Sequence, residues 1–243
     1  MQTQSIDLSK LSRAEKEELM ALLEEKERRL AGRKLWTLYP DTGPLRRELY
    51  PKHLEFFRSG KLHMERAAMA ANRTGKSFGI GGYETTLHLT GEYPEWWDGR
   101  RFDHPVDWWA AGDTLTTTRD IVQHILLGDI GQWGTGLIPR DNLVSDPTMR
   151  AGVTGGVDFV RLKHKSGGIS LLGFKAYDQG RKTFQGTAKH GIWLDEESDE
   201  QIYDECLVRL ATTNGLMICT FTPLLGLSKV ALKFMPHLAP EGA

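Results

Sequence analysis

The chain has 243 residues, of which 40% are hydrophobic and 26% charged, and its formal net charge is −1. This is an ordinary globular composition, long enough for one sizeable domain or a domain with an appendage. The near-zero charge excludes a chain that is basic throughout, while local basic surfaces stay compatible with it. Two cysteines, Cys206 and Cys219, make no disulfide framework and fit a reducing cytoplasm. With no run of 18 apolar residues and no signal-peptide pattern, no membrane partner is expected.

In chain order, a helix is expected from Ser12, with Glu15 completing a capping box and Leu19, Leu22, Leu23 and Leu30 forming an apolar face that stops near Gly32. That face packs either on its own domain or on a partner. Residues 37–51 carry three prolines and a glycine and read as a linker or an irregular wrap. Alternation begins beyond them. A short strand is expected over Ala67–Ala71, a helix over Gly75–Leu89, a strand over Val106–Ala111 and a helix over Thr114–Leu127. Val157–Lys163 and Ile169–Phe174 flank Ser166-Gly167-Gly168, a hairpin signal. A strand over Gly191–Asp195, a helix over Glu200–Ala211, a strand over Leu216–Phe221 and a helix over Leu227–Phe234 complete the series. Strands alternating with helices predict an α/β fold with a mainly parallel sheet flanked by helices, plus the inserted β-hairpin and the N-terminal helical segment. Ligands in such sheets bind beyond the carboxyl ends of the strands.

Three stretches at those strand ends carry chemistry. The first, "AANRTGKS" over residues 70–77, resembles a phosphate-binding loop with alanine in place of the leading glycine. Gly75 permits a tight turn, Lys76 would reach the β and γ phosphate oxygens, and Ser77 would hold Mg²⁺ by its hydroxyl. A surface loop is the plain alternative, but the expected strand before and helix after are the setting that such a loop requires. The second, "HGIWLDEES", runs three apolar residues into Asp195-Glu196-Glu197. A strand-terminal Asp holds Mg²⁺ in phosphate-loop proteins, and a neighbouring Glu polarises the attacking water. In an extended strand Asp195 and Glu196 would point to opposite sides, so that Asp195, ending the strand, can face the metal and Glu196, at the turn off the sheet, the attacking water; the same acids also suit a solvated helix start. The third, "LMICTFTP", puts Thr220 and Thr222 on one face if extended, where they could hold water or sense the γ-phosphate, or only reflect β-propensity.

These signals stand in the order found in the ATPase domain of the large terminase subunit of tailed bacteriophages, which the chain resembles. The stretches "LYPKHLEFFRSG", "MAANRTGKSFGIGGYETTLHLTGEYPEWWDGRRF", "WAAGDTLTTTRD", "YDQGRKTFQGTAKHGIWLDEE" and "TFTPLLGLSKV" are all terminase-like and together cover roughly residues 49–231. The resemblance implies an ATP-hydrolysing motor that drives double-stranded DNA into a procapsid, with ATP and Mg²⁺ as cofactors. Residues 49–243 would form the ATPase domain, after an N-terminal helix and linker over 1–48. It assigns Lys76, Glu196 and Arg73 to catalysis and Ser77 and Asp195 to the metal. Ala71, Asn72, Arg73, Thr74, Gly75, Lys76, Ser77, Phe78 and His53 fall to the nucleotide, and Thr220 and Thr222 to coupling. His53 stands where the family has a glutamine near the adenine, and an imidazole cannot give an amide's two-pronged contact. Asn72 stands where some members have an arginine, with Arg73 one step later.

The implied partners are duplex DNA, the small terminase subunit, the portal protein and further copies of the chain in a ring, all in the cytoplasm of a bacterial host. Complete members continue into a nuclease domain, so a motor without DNA cleavage is expected here. A small-molecule kinase and a non-catalytic nucleotide-binding assembly protein are the competing classes. Arg161, Lys163 and Lys165, at spacing two along the hairpin, could touch DNA phosphates or simply form a solvated edge. Arg100 and Arg101 are a weaker pair for DNA. His88, His104 and His124 read as surface or packing residues, Trp108 as strand core and Trp96 as packing for a loop.

Overall fold

The computed structural model describes residues 12–13, 15–22, 33–224, 226 and 228–238. The N-terminal capping box forms as expected: the Ser12 amide donates to the Glu15 carboxylate at 2.8 Å and the Glu15 amide to the Ser12 hydroxyl at 3.3 Å. Residues 15–22 are helical, with Leu19 half-buried and Leu22 exposed. Leu23, Leu30 and Gly32 lie outside the described residues.

Seven strands form one sheet: β1 (Glu65–Met69), β2 (Asp107–Gly112), β3 (Thr148–Met149), β4 (Val157–Lys163), β5 (Ile169–Ala176), β6 (Gly191–Asp195) and β7 (Leu216–Phe221). Their order across the sheet is β1-β7-β6-β2-β5-β4-β3. The first five in that order run parallel, whereas β4 is antiparallel to β5 and β3 to β4. β7 therefore lies between the strand that enters the glycine-rich loop and the strand that ends in Asp195. Its own end projects between the two.

Five helices matter for the site. They are α1 (Pro51–Ser59); α2, whose first stretch, Lys76–Gly82, is π-type and whose second, Tyr83–Thr90, is α; α3, running through Leu115–Thr117, Thr118–Gln123 and His124–Leu127; α4 (Glu200–Ala211); and α5 (Lys229–Phe234). On one face of the sheet Leu89 of α2 and Val122, Leu126 and Leu127 of α3 pack on Trp108, Leu172, Trp193 and Ile218. On the other face Ile202, Tyr203 and Cys206 of α4 and Val230 of α5 pack on Trp109, Ile192, Leu194 and Cys219. Being covered on both faces explains why β6 and β7 read as unbroken apolar runs rather than alternating ones. Trp108 is fully buried, as expected for a strand core.

A third cluster joins Leu35, Tyr39 and Phe57 to Ile80, Tyr83 and Leu87. The proline-rich stretch is thus an irregular wrap over α1 and α2, one of its two expected forms. Trp96 packs there too, stacked on Tyr83 with an interplanar angle of 3°. Close approach fixes Gly81: a Cβ there would lie 2.2 Å from the Trp193 indole nitrogen, so α2 can sit this near β6 only without a side chain. His88 is a buried packing residue on α2, whereas His124 is half exposed.

Candidate functional site

The strand before the loop ends at Met69, two residues earlier than expected, and the helix after it starts at Lys76 rather than Gly75. Gly75 is instead the turn, with φ 86°, a left-handed conformation that costs glycine nothing sterically. Its carbonyl accepts from the amides of Gly79 at 2.7 Å and Ile80 at 3.3 Å, which opens the first turn of α2 into π geometry. Arg73 also has a left-handed φ, 65°, and its side chain is exposed at the loop apex. Ala71, Asn72 and Thr74 are exposed beside it.

Lys76 is buried, and its ammonium donates to the Ala71 carbonyl and to the Thr222 hydroxyl, each at 2.9 Å. Thr222 in turn contacts the Ala70 carbonyl and the Asn72 amide oxygen, each at 2.9 Å. β7 stops at Phe221 as expected, so Thr222 does not share a strand face with Thr220 but lies just beyond the strand, gripping the loop. Thr220 remains within β7. Its hydroxyl donates to Asp195 at 2.7 Å and accepts from the Trp193 indole at 2.8 Å. Thr220 and Thr222 thus link the acidic strand end to the loop lysine.

Asp195 is buried at the end of β6. Burial pushes its carboxyl up to about 6, against the hydroxyls of Thr220 and Ser77 and the charge of Lys76, which hold it down. Glu196 does not continue the strand but sits at the turn off the sheet, where it was expected. Its φ is 65°, and its amide donates to the Thr220 carbonyl at 2.9 Å. The Tyr177 hydroxyl bridges the carbonyls of Asp195 and Glu196 at 3.0 and 3.2 Å. A non-glycine residue is held in this conformation only when its surroundings over-determine it. Here the two backbone pins do so, and the Glu196 side chain is left exposed while Asp195 faces inward. The Glu197 carboxylate accepts from the Ser228 hydroxyl, which also caps α5.

Two hollows flank the loop. One, of about 480 Å³, lies between α1 and β1 and is lined by His53, Phe56, Ala67, Met69, Thr74 and Lys76 among others. The second, of about 220 Å³, is lined by Leu38, Tyr39, Leu45, Tyr50, His53, Gly75, Phe78 and Gly79. His53 belongs to both, and burial holds its imidazole below the ordinary range. Its Nδ1 meets the Tyr39 hydroxyl at 2.6 Å, and the same hydroxyl donates to the Gly79 carbonyl at 2.7 Å.

Every loop and acid residue singled out from the sequence therefore comes to one end of the sheet, with His53 at its side. Sequence reasoning missed Tyr39, Tyr177 and Trp193. Each acts through a partner remote in the chain, so no local spacing could reveal it. The residues present suit the groups expected. Ser77 and Asp195 offer only oxygen donors, the preference of a hard divalent cation. A glycine turn leading into a helix N-terminus suits a phosphate.

The N-terminal family of terminase large subunits of the T4likevirus type matches residues 67–237. The chain is 37% identical to the large terminase subunit of Salmonella phage P22 over 256 aligned positions, which span 95% of this chain and 48% of that protein. The chain thus covers about half the length of that relative. A solved large terminase from a thermophilic bacteriophage, in complex with ADP, aligns with 78% of this chain and 49% of its own, at 13% identity and a TM-score of 0.49. With the family matched over most of its length and a relative at that identity, the chain belongs to the large terminase subunits of bacteriophages.

Proposed function

We propose that the chain is the motor part of a packaging terminase, hydrolysing Mg-ATP and coupling that hydrolysis to the movement of double-stranded DNA into a procapsid. The observation that carries this reading is the hydroxyl linkage Lys76–Thr222 and Thr220–Asp195, with Glu196 turned outward beside it. Lys76 leaves the Ala71 carbonyl and Thr222 to neutralise charge on the β and γ phosphates. Ser77 and Asp195 would hold Mg²⁺, which would supply further charge neutralisation to the phosphates. Glu196 accepts the proton of the attacking water. Loop amides from Ala71 to Phe78 cradle the phosphates, Arg73 adds positive charge at the apex, and the aromatic-lined hollow beside Phe78, Tyr50 and His53 takes the base. Thr222, released as Lys76 moves, passes the change to the segment beyond β7, which makes it and Thr220 the coupling pair.

The acting assembly is a ring of copies with the small terminase subunit and the portal protein, in the cytoplasm of the host. Release of inorganic phosphate and ADP from Mg-ATP, measured with and without long duplex DNA, tests the reading. Equal release of both products, faster with DNA, is expected. ADP without phosphate would indicate transfer to another acceptor, and neither product would indicate a binding role alone.

A further inference from the structure

The face of the sheet that α4 covers is covered only in part. α4 and α5 pack on β7 and β6, and Phe184 reaches Trp109 of β2, but the same face of β5 and β4 carries no helix among the described residues. On this uncovered flank Arg161 and Lys163 of β4 are exposed, and Lys165 follows in the turn, with buried Leu162 and His164 between them pointing the other way. Two residues of strand advance about 6.6 Å, close to the step between successive phosphates on one nucleic-acid strand. Among the described residues none of these three side chains has a hydrogen bond or an ion pair. Two acids beside the strands are already taken, Asp107 by Lys189 and Asp158 by Arg150, each at 2.6 Å, while a third, exposed Asp103, acts on His164. Lys175 of β5 adds a further cation over the Trp109 ring, at 5.1 Å.

We propose that this flank of the β4–β5 hairpin is a docking surface for the phosphate backbone of duplex DNA, contacted by Arg161, Lys163 and Lys165. This rests on the reading of the chain as a DNA motor. Arg161 and Lys163, one two-residue strand step apart, with Lys165 beyond them in the turn, complement a polyanion of regular charge, and such contacts position without reading sequence. An acidic protein patch would have to reproduce that regularity. Directly across the ladder Leu171 faces Arg161 and Ile169 faces Lys163, so the methylene stems of the two cations adjoin the aliphatic side chains they help to cover. The hairpin is also joined to the nucleotide end. The Lys165 amide donates to the carbonyl of Thr90 at 2.7 Å, the last residue of the helix whose first residue is Lys76. A shift of α2 would therefore move the tip that holds the DNA.

The test is the salt dependence of duplex binding by the full chain, read by anisotropy with two labelled duplexes of unrelated sequence. The variant is Arg161→Gln/Lys163→Gln/Lys165→Gln. The control, Arg58→Gln/Lys229→Gln/Lys233→Gln, removes the same number of cations elsewhere. Each phosphate contact contributes about 0.9 to the slope of log K against log salt, so the hairpin variant should lower the slope by about 2.7. Affinity should fall on the order of 100-fold for both sequences alike near physiological salt, with Mg-ATP affinity unchanged. An unchanged slope, an equal loss in the control, or no duplex binding by the unaltered chain would overturn the proposal. So would a loss of self-association in sedimentation with DNA affinity intact, which would make the flank an interface between copies. Failure of the motor reading is separate: the unaltered chain would then release no phosphate from ATP, whatever its DNA affinity.

Discussion

Lys76 is the residue whose environment most clearly prepares it for a charged ligand. It is buried, yet its ammonium meets only a carbonyl and a hydroxyl, with no carboxylate in contact among the described residues. Lys76→Ala should leave the fold intact, since both partners lie at the loop surface, and should lower turnover by at least about 10²–10³-fold, the cost of losing one preorganised charge donor. Thermal melts alongside steady-state phosphate release check both halves. The opposite case is Glu84. With Arg66, bonded at 2.8 Å, it forms a fully buried pair, completed by His88 at 3.1 Å. Burial alone would raise the Glu84 carboxyl, but Arg66 and His88 outweigh it and hold it below the ordinary value. Glu84→Gln leaves the Arg66 charge unpaired, and urea unfolding should show a loss of about 3–5 kcal/mol.

At the scale of elements, contact between α2 and β6 sets the site's precision. The Trp193 indole lies against Gly81 and holds the Thr220 hydroxyl, which bonds Asp195. Gly81→Ala should push the indole off this position. Overpacking of this kind costs about 1–3 kcal/mol, and weaker Mg²⁺-dependent nucleotide binding should accompany it; a magnesium titration against wild type measures the second effect. The elements legible in the sequence were those with a continuous apolar run or a strong cap. Gly191–Asp195, Glu200–Ala211 and Leu216–Phe221 lie where they were expected, residue for residue. α1 was not foreseen, because its apolar residues pack on the wrap and its start is marked only by Pro51. β3, two residues long, is held by its pairing with β4 alone.

Across the whole molecule, burial is the first cause that holds the imidazoles of His53, His88, His164 and His190 below their ordinary value of 6.5. On acidification the unfolded chain takes up these protons before the folded one, so stability is full above about pH 6.5 and falls as pH drops below it. Asp195, raised from 3.8 to about 6, acts in the opposite sense over that lower range, one group against four. Denaturant midpoints should therefore decrease between about pH 7.5 and 5.5.

The site was legible in the sequence as three strand ends, because loop, acid and threonine each follow an apolar run. A turn at Glu196 was legible too, whereas its left-handed form and the remote contacts that hold it were not. The left-handed turn at Glu196 depends on Tyr177 and Thr220, and the grip of Thr222 on Lys76 spans 146 residues. That turn also separates two adjacent carboxylates: Glu197 is tied to Ser228 while Glu196 is exposed. Single-turnover hydrolysis and Mg-ATP affinity, measured on Glu196→Gln and Glu197→Gln in parallel, therefore test the account most directly. Glu196→Gln should keep its affinity and lose about two orders of magnitude or more in hydrolysis, the loss expected of a missing general base, while Glu197→Gln stays near wild type. Hydrolysis retained by Glu196→Gln and lost by Glu197→Gln would contradict it.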